Sequence, residues 1–147
     1  MILNTSNFGE IEVKEESVIS FPDGLPAFEE YKRYVIIENP DVDIPFHWLQ
    51  SVEDGDLAFV IINPFIFKKG YDFEIPQTVI EKLEIAAPEE VMVYSIVVVP
   101  ENISKMTANL KGPIIINKKN LQGKQILLDH DEYQTKHYIL EEMKQVG

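Results

Sequence analysis

Along most of this chain apolar and polar residues alternate one by one, the period of a strand with one face buried. Phe8-Gly9-Glu10-Ile11-Glu12-Val13 is the clearest stretch, apolar on one side and acidic on the other. The same reasoning places further strands at 18–21, 34–37, 46–50, 57–62, 92–99, 105–110, 114–117 and 124–128. Turn-forming clusters divide them at short intervals: Pro22-Asp23-Gly24, Asn39-Pro40-Asp41, Glu53-Asp54-Gly55-Asp56, Asn63-Pro64, Lys69-Gly70, Lys111-Gly112-Pro113 and Gln122-Gly123. Many short strands punctuated in this way predict a mostly β, antiparallel, β-barrel-like or sandwich fold.

Helical spacing is confined to a few places. The segment 76–83 carries apolar residues at Val79, Ile80 and Leu83 behind Pro76, a residue suited to a first turn. A single helical turn is expected at 26–31. The segment 131–146 sets Tyr138, Ile139 and Met143 on one side, so a short weak helix competes there with fraying. The organisation predicted is one barrel-like domain over 1–128 and a polar tail over 129–147.

At 147 residues the chain is long enough for one core that removes roughly two thirds of the unfolded surface from water. Absence of cysteine excludes disulfides, thiolate metal sites and cysteine nucleophiles, and suits a reducing cytosol. The first residues show no basic region followed by an apolar run, so no signal peptide is expected. Nor does the longest apolar run, Ile96-Val97-Val98-Val99, reach the length of a membrane span.

Net charge is −12 and unevenly distributed: −10 over residues 1–63, −4 over 64–101, +5 over 102–128, and −3 from Asp129 onward. A surface this acidic repels polyphosphate, which argues against direct nucleic-acid binding and against anionic membranes. It favours a basic protein partner, although the same charge also serves solubility.

Reactive chemistry finds little support. His47 sits within an apolar strand, and His130 and His137 lie in the polar tail, where Asp129-His130-Asp131-Glu132 lacks the rigid scaffold a metal needs. No Gly-x-Ser-x-Gly elbow, Walker loop or Gly-x-Gly-x-x-Gly occurs. The paired acids, such as Glu29-Glu30 and Glu89-Glu90, fall in turns and at element ends, where exposed carboxylates are ordinary. The expectation is therefore no enzyme, no cofactor and no metal.

Two runs suit binding better. In Pro45-Phe46-His47-Trp48-Leu49-Gln50-Ser51 one row of side chains belongs to the core, with Leu49 favoured, which leaves Phe46 and Trp48 for a partner. Ile103-Ser104-Lys105-Met106-Thr107-Ala108-Asn109-Leu110, in the acid-free region, reads as a strand, ordinary or open to strand addition.

Taken in order, several motifs are similar to the flagellar assembly factor FliW family. They are Phe21-Pro22-Asp23-Gly24-Leu25-Pro26-Ala27-Phe28-Glu29, the Pro45–Ser51 run, Leu57-Ala58-Phe59-Val60-Ile61-Ile62-Asn63-Pro64, Val98-Val99-Pro100, Met106-Thr107-Ala108-Asn109-Leu110, Gly112-Pro113-Ile114-Ile115-Ile116-Asn117 and Gly123-Lys124-Gln125. The resemblance runs from the first strand to about Leu128. It departs at Ala27, where glycine is expected, and at Gly112, where alanine is expected. It implies a barrel-like cytoplasmic protein that binds flagellin and, alternatively, the dimeric RNA-binding repressor CsrA, relieving repression of flagellin mRNA. For the amphipathic helices of flagellin the expected site has Phe46, Trp48 and Met106 as its floor and Gln50 and Asn109 on its rim. The competing readings are a flavin-type split-barrel enzyme, which would be coloured, and a nucleic-acid-binding barrel, which the charge opposes.

Overall fold

A computed structural model describes residues 1–41 and 44–146. Eleven strands and two α-helices are present among them. The strands are β1 (Ile2–Thr5), β2 (Gly9–Glu12), β3 (Ile19–Ser20), β4 (Arg33–Ile37), β5 (Phe46–Ser51), β6 (Ala58–Ile62), β7 (Val91–Val98), β8 (Thr107–Ala108), β9 (Ile114–Asn117), β10 (Gln122–Gln125) and β11 (His137–Tyr138). The helices are α1 (Gln77–Lys82) and α2 (Ile139–Val146).

The alternating pattern closes on itself. β7 pairs with β6, β6 with β5, β5 with β4, β4 with β3, β3 with β10, β10 with β9, and β9 returns to β7. Seven strands thus form a ring, the barrel-like arrangement expected. The sheet is mixed rather than purely antiparallel, because β3 and β10 meet in parallel. β7 makes the closure possible by changing partners along one edge: Val91–Tyr94 pair with β9, whereas Val97 and Val98 pair with β8. β11 pairs with the outer edge of β8.

Because successive side chains face opposite ways, one set fills the ring and the other needs cover outside it. Ile19, Phe21, Tyr34, Leu49, Ile61, Ile114 and Ile116 are buried inside, flanked by Phe59, Met92, Tyr94 and Ile96. Leu49, and not Phe46 or Trp48, is the inward residue of β5. Outside, Ile62, Val97, Ala108 and Ile115 pack beneath Phe67, Tyr71, Val79 and Leu83 from the 63–88 connection and Ile126, Leu128, Tyr133 and Ile139 from the C-terminal segment. A smaller outer cluster joins Leu3 and Val13 of the N-terminal hairpin to Val35.

Several expectations are corrected. Residues 26–31 form turns and an isolated bridge between Leu25 and Phe28, not a helical turn. Ala27 has φ +72°, which no right-handed helix contains. The 105–110 strand shortens to β8, since Ile103–Lys105 make a 3-10 turn. Residues 126–128 continue beyond β10 through Ile126 and Leu128 N–H bonds to the Pro113 and Lys111 carbonyls. Past Leu128 the chain is more than a polar tail: Tyr133 and Ile139 are buried, and the Leu110 and Lys111 N–H groups donate to the Gln134 carbonyl.

Candidate protein-binding surface

Of the five residues expected to make a binding site, Phe46 and Met106 pack into the same outer core, Phe46 half-buried and Met106 buried. Trp48 lies on the outer face of β5, half-buried, between Ile37 and Val60 by register, with Phe8 edge-on at 5.0 Å. Gln50 is wholly buried. Its Nε2 donates to the carbonyls of Ser51 (3.0 Å) and Leu57 (3.1 Å), with those of Gly55 and Asp54 close by, so it clamps the β5–β6 turn. Ser51 Oγ accepts the Glu53 and Asp54 N–H groups from the other side of that turn. The side chain of Asn109 caps its own turn, accepting from the Lys111 and Gly112 N–H groups at 3.0 and 2.9 Å. These five side chains do not line one groove: Phe46 and Met106 pack on the outer core, Gln50 and Asn109 hold turns, and Trp48, half-buried like Phe46, packs beside Phe8.

The clamped β5–β6 turn carries Glu53, Asp54 and Asp56. Glu53 also accepts the Lys32 and Arg33 N–H groups, and Asp54 accepts a hydrogen bond from Tyr31 that pushes that phenol upward, with Glu30 and Glu53 adding to the effect. Four carboxylates, at Glu30, Glu53, Asp54 and Asp56, therefore gather at one end of the ring. β6 begins at that end, and β7, antiparallel to it, finishes there.

Where β7 leaves the ring, apolar side chains are exposed. Val98, Thr107 and Tyr138 share one face in cross-strand register, and Val98 and Tyr138 are 59% and 47% exposed. Ile103 in the following 3-10 turn is 62% exposed, and Val99 and Leu140 are also open to solvent. Tyr138 and Leu140 line a groove of about 530 Å³ with Ser104, Lys105, Glu141 and Lys144. Sequence reasoning missed this surface because Tyr138 and Leu140 lie in the segment read as a polar tail. Its one signal was the apolar spacing of Tyr138, Ile139 and Met143.

Of the two readings of 103–110, an ordinary strand or one open to strand addition, β8 fits the first, since its two edges are taken by β7 and β11. His137 is held locally: its Nε2 accepts the Gln134 N–H at 2.8 Å, and Nδ1 faces Glu142 at 3.4 Å. Burial raises the Glu142 carboxyl, but Lys68 at 2.7 Å and His137 outweigh it and hold it below the usual carboxylate range. Among the described residues no group of three or more His, Asp or Glu is arranged to hold a metal, and no helix is long and apolar enough to cross a membrane.

The model of the FliW protein family matches residues 2–139, most of the chain and all the strands described above. The chain belongs to the FliW family. The flagellar assembly factor FliW of Alkaliphilus metalliredigens is 60% identical over 146 residues, covering 99% of this chain and 90% of that protein. Its counterpart in Thermoanaerobacter pseudethanolicus is 51% identical over 144 residues, covering 98% and 96%. A crystal structure of the flagellar assembly factor FliW superimposes with a TM-score of 0.88 at 34% identity, covering 95% of this chain and 96% of that one. FliW family membership makes this chain a flagellar assembly factor and brings the C-terminal segment as far as Ile139 within the family's extent.

Proposed function

We propose that this flagellar assembly factor acts in the cytoplasm by binding two polypeptides in alternation, flagellin and CsrA. The observation that carries the reading is the pairing, at one end of the ring, of an exposed apolar surface with a cluster of carboxylates. Val98, Ile103, Tyr138 and Leu140 offer a helix-sized apolar face, the kind of surface that takes an amphipathic helix of flagellin. Glu30, Glu53, Asp54 and Asp56 offer a basic RNA-binding protein attraction and steering, within a chain of net charge −12. Because both features lie at the same end, an occupant of one crowds the other, which gives the alternation a physical basis. Trp48 is retained as a flanking contact. Gln50 acts indirectly, by fixing the acidic turn.

Surface variants separate the two contacts. Ile103→Asp with Leu140→Asp changes only exposed positions, so the chain should fold and lose flagellin while retaining CsrA. Glu30→Lys with Asp56→Lys, both at exposed positions, should do the reverse, and CsrA affinity of the parent chain should fall as salt rises. Loss of both partners in both variants, or a flat salt dependence, contradicts the reading. Naked RNA should not shift on addition of the protein.

A further inference from the structure

The outer core has an unfinished edge at residues 71–75. Residues 71–75 alternate as a strand does, with Tyr71 buried, Phe73 and Ile75 half-buried, and Asp72 and Glu74 exposed, yet they join no sheet. The Phe73, Glu74 and Ile75 N–H groups have no hydrogen-bond partner among the described residues. Residues 126–130 form the facing wall. Ile126 and Leu128 turn their N–H groups to Pro113 and Lys111, so the peptide groups of Leu127 point to the other side, where they too are unpaired. Leu127 is 77% exposed, the most exposed large apolar side chain described.

The two segments line one groove of about 790 Å³, with Phe73, Ile75, Ile126 and Leu128 among its walls. No backbone hydrogen bond joins them. They are instead clamped at one end: Tyr133 Oη accepts the Asp72 N–H at 3.0 Å while its ring packs edge-on against Tyr71 at 4.7 Å and stacks on His130 at 5.5 Å. Burial drives the Tyr71 phenol far upward, and its Oη donates to the Leu110 carbonyl at 2.6 Å, so the clamp is fixed to the ring. Asp72, Glu74 and Asp129 stand along the groove, and none forms an ion pair among the described residues.

We propose that this groove receives an extended, lysine- or arginine-bearing segment of a partner protein as an added strand, paired to the free backbone groups at 73–75 and at Leu127. A strand is the occupant that answers both observations together. Its backbone satisfies unpaired edge groups that a helix would leave bare, alternate apolar side chains meet Phe73, Ile75 and Leu127, and basic residues between them face the three carboxylates. The clamp holds the groove open before binding, so little ordering remains to oppose association.

The test uses the full chain, labelled with nitrogen-15, and a capped peptide of alternating lysine and valine. Its controls are the same peptide N-methylated at alternate residues and one of alternating glutamate and valine. Binding of the lysine peptide should slow hydrogen exchange at the 73–75 and Leu127 amides, which exchange freely in the unbound chain. The methylated and glutamate peptides should not. Glu74→Lys with Asp129→Lys, both at exposed positions, should weaken the lysine peptide about fivefold. Equal binding by the methylated peptide, amides already protected without peptide, or protection confined to the Glu30–Glu53–Asp54 cluster would overturn the proposal.

Discussion

Gly123→Ala is a small change with a calculable consequence. A Cβ at Gly123 would lie 2.5 Å from Cε1 of Phe21, 2.9 Å from Cζ and 3.0 Å from Cδ1. Carbon atoms rest about 3.5–4.0 Å apart, so the ring would have to retreat by about 1 Å. It has nowhere to go: Phe21 is wholly buried within the ring of strands, edge-on to the equally buried Tyr34 at 5.4 Å. Overpacking of this kind costs about 1–3 kcal/mol. Opposing it, alanine restricts the unfolded chain and returns about 0.4–1 kcal/mol. The clash wins, for a net loss of about 1–2 kcal/mol, which lowers Tm by about 3–8 °C for a chain of this size. Urea unfolding should show a lower midpoint with an unchanged slope. In a Phe21→Leu background the same substitution should cost nothing, since the contacting ring atoms are gone. A Gly123→Ala protein as stable as the parent, or one equally destabilised in both backgrounds, would refute the reasoning.

Other substitutions test other parts of the structure. Ala27→Gly should stabilise by about 1 kcal/mol in urea titration, because Ala27 holds φ +72°, where an L side chain is strained and glycine is not. Gly112→Ala should cost about 1 kcal/mol, since its Cβ would crowd the amide ends of Gln125 and Asn109, which hydrogen bonds to the Gly112 carbonyl and N–H hold in place. Asp23 sits 2.5 Å from Lys82 and 2.7 Å from Lys124, whose hydrogen bonds draw its carboxyl down to about 2 from 3.8. A lowered carboxylate stabilises the fold above its unfolded value, and that contribution is lost as pH falls toward 2. With Asp23 nearly half exposed, screening limits it to about 1 kcal/mol, so the stability gap between Asp23→Asn and the parent should be present at pH 7 and close between pH 4 and 2. Gln50→Ala should cost about 2–3 kcal/mol by urea titration, since it strips the buried donor from the Ser51 and Leu57 carbonyls.

Period-two alternation made most strands legible, because a barrel interior and its outer clusters both reward it. For β5 the sequence favours Leu49 for the core, as the aliphatic member of its row, but leaves open which row faces inward. What alternation could not reveal was pairing between distant segments. β11 has two residues, too few to carry a pattern, and in β1 the order Ile-Leu-Asn-Thr hides the alternation that its burial shows, while Leu3 and Ile139 cover the outer clusters. The short helical turn expected at 26–31 fails through a single left-handed residue, Ala27, at the position where the family resemblance calls for glycine. Gln50, Met106 and Asn109 have the chemistry of contact residues. Burial and turn-capping, which only the folded chain reveals, give Gln50 and Asn109 bonds within their own turns and place Met106 in the outer core.

The measurement closest to the central claim is a displacement titration. A complex of this chain with CsrA, held at moderate ionic strength, is challenged with monomeric flagellin and followed by the size of the released species. Alternating occupancy predicts that each polypeptide binds the chain alone with stoichiometric uptake, and that flagellin sets CsrA free. Failure of the chain to bind either one would contradict it, as would a stable complex of all three that retains CsrA however much flagellin is added.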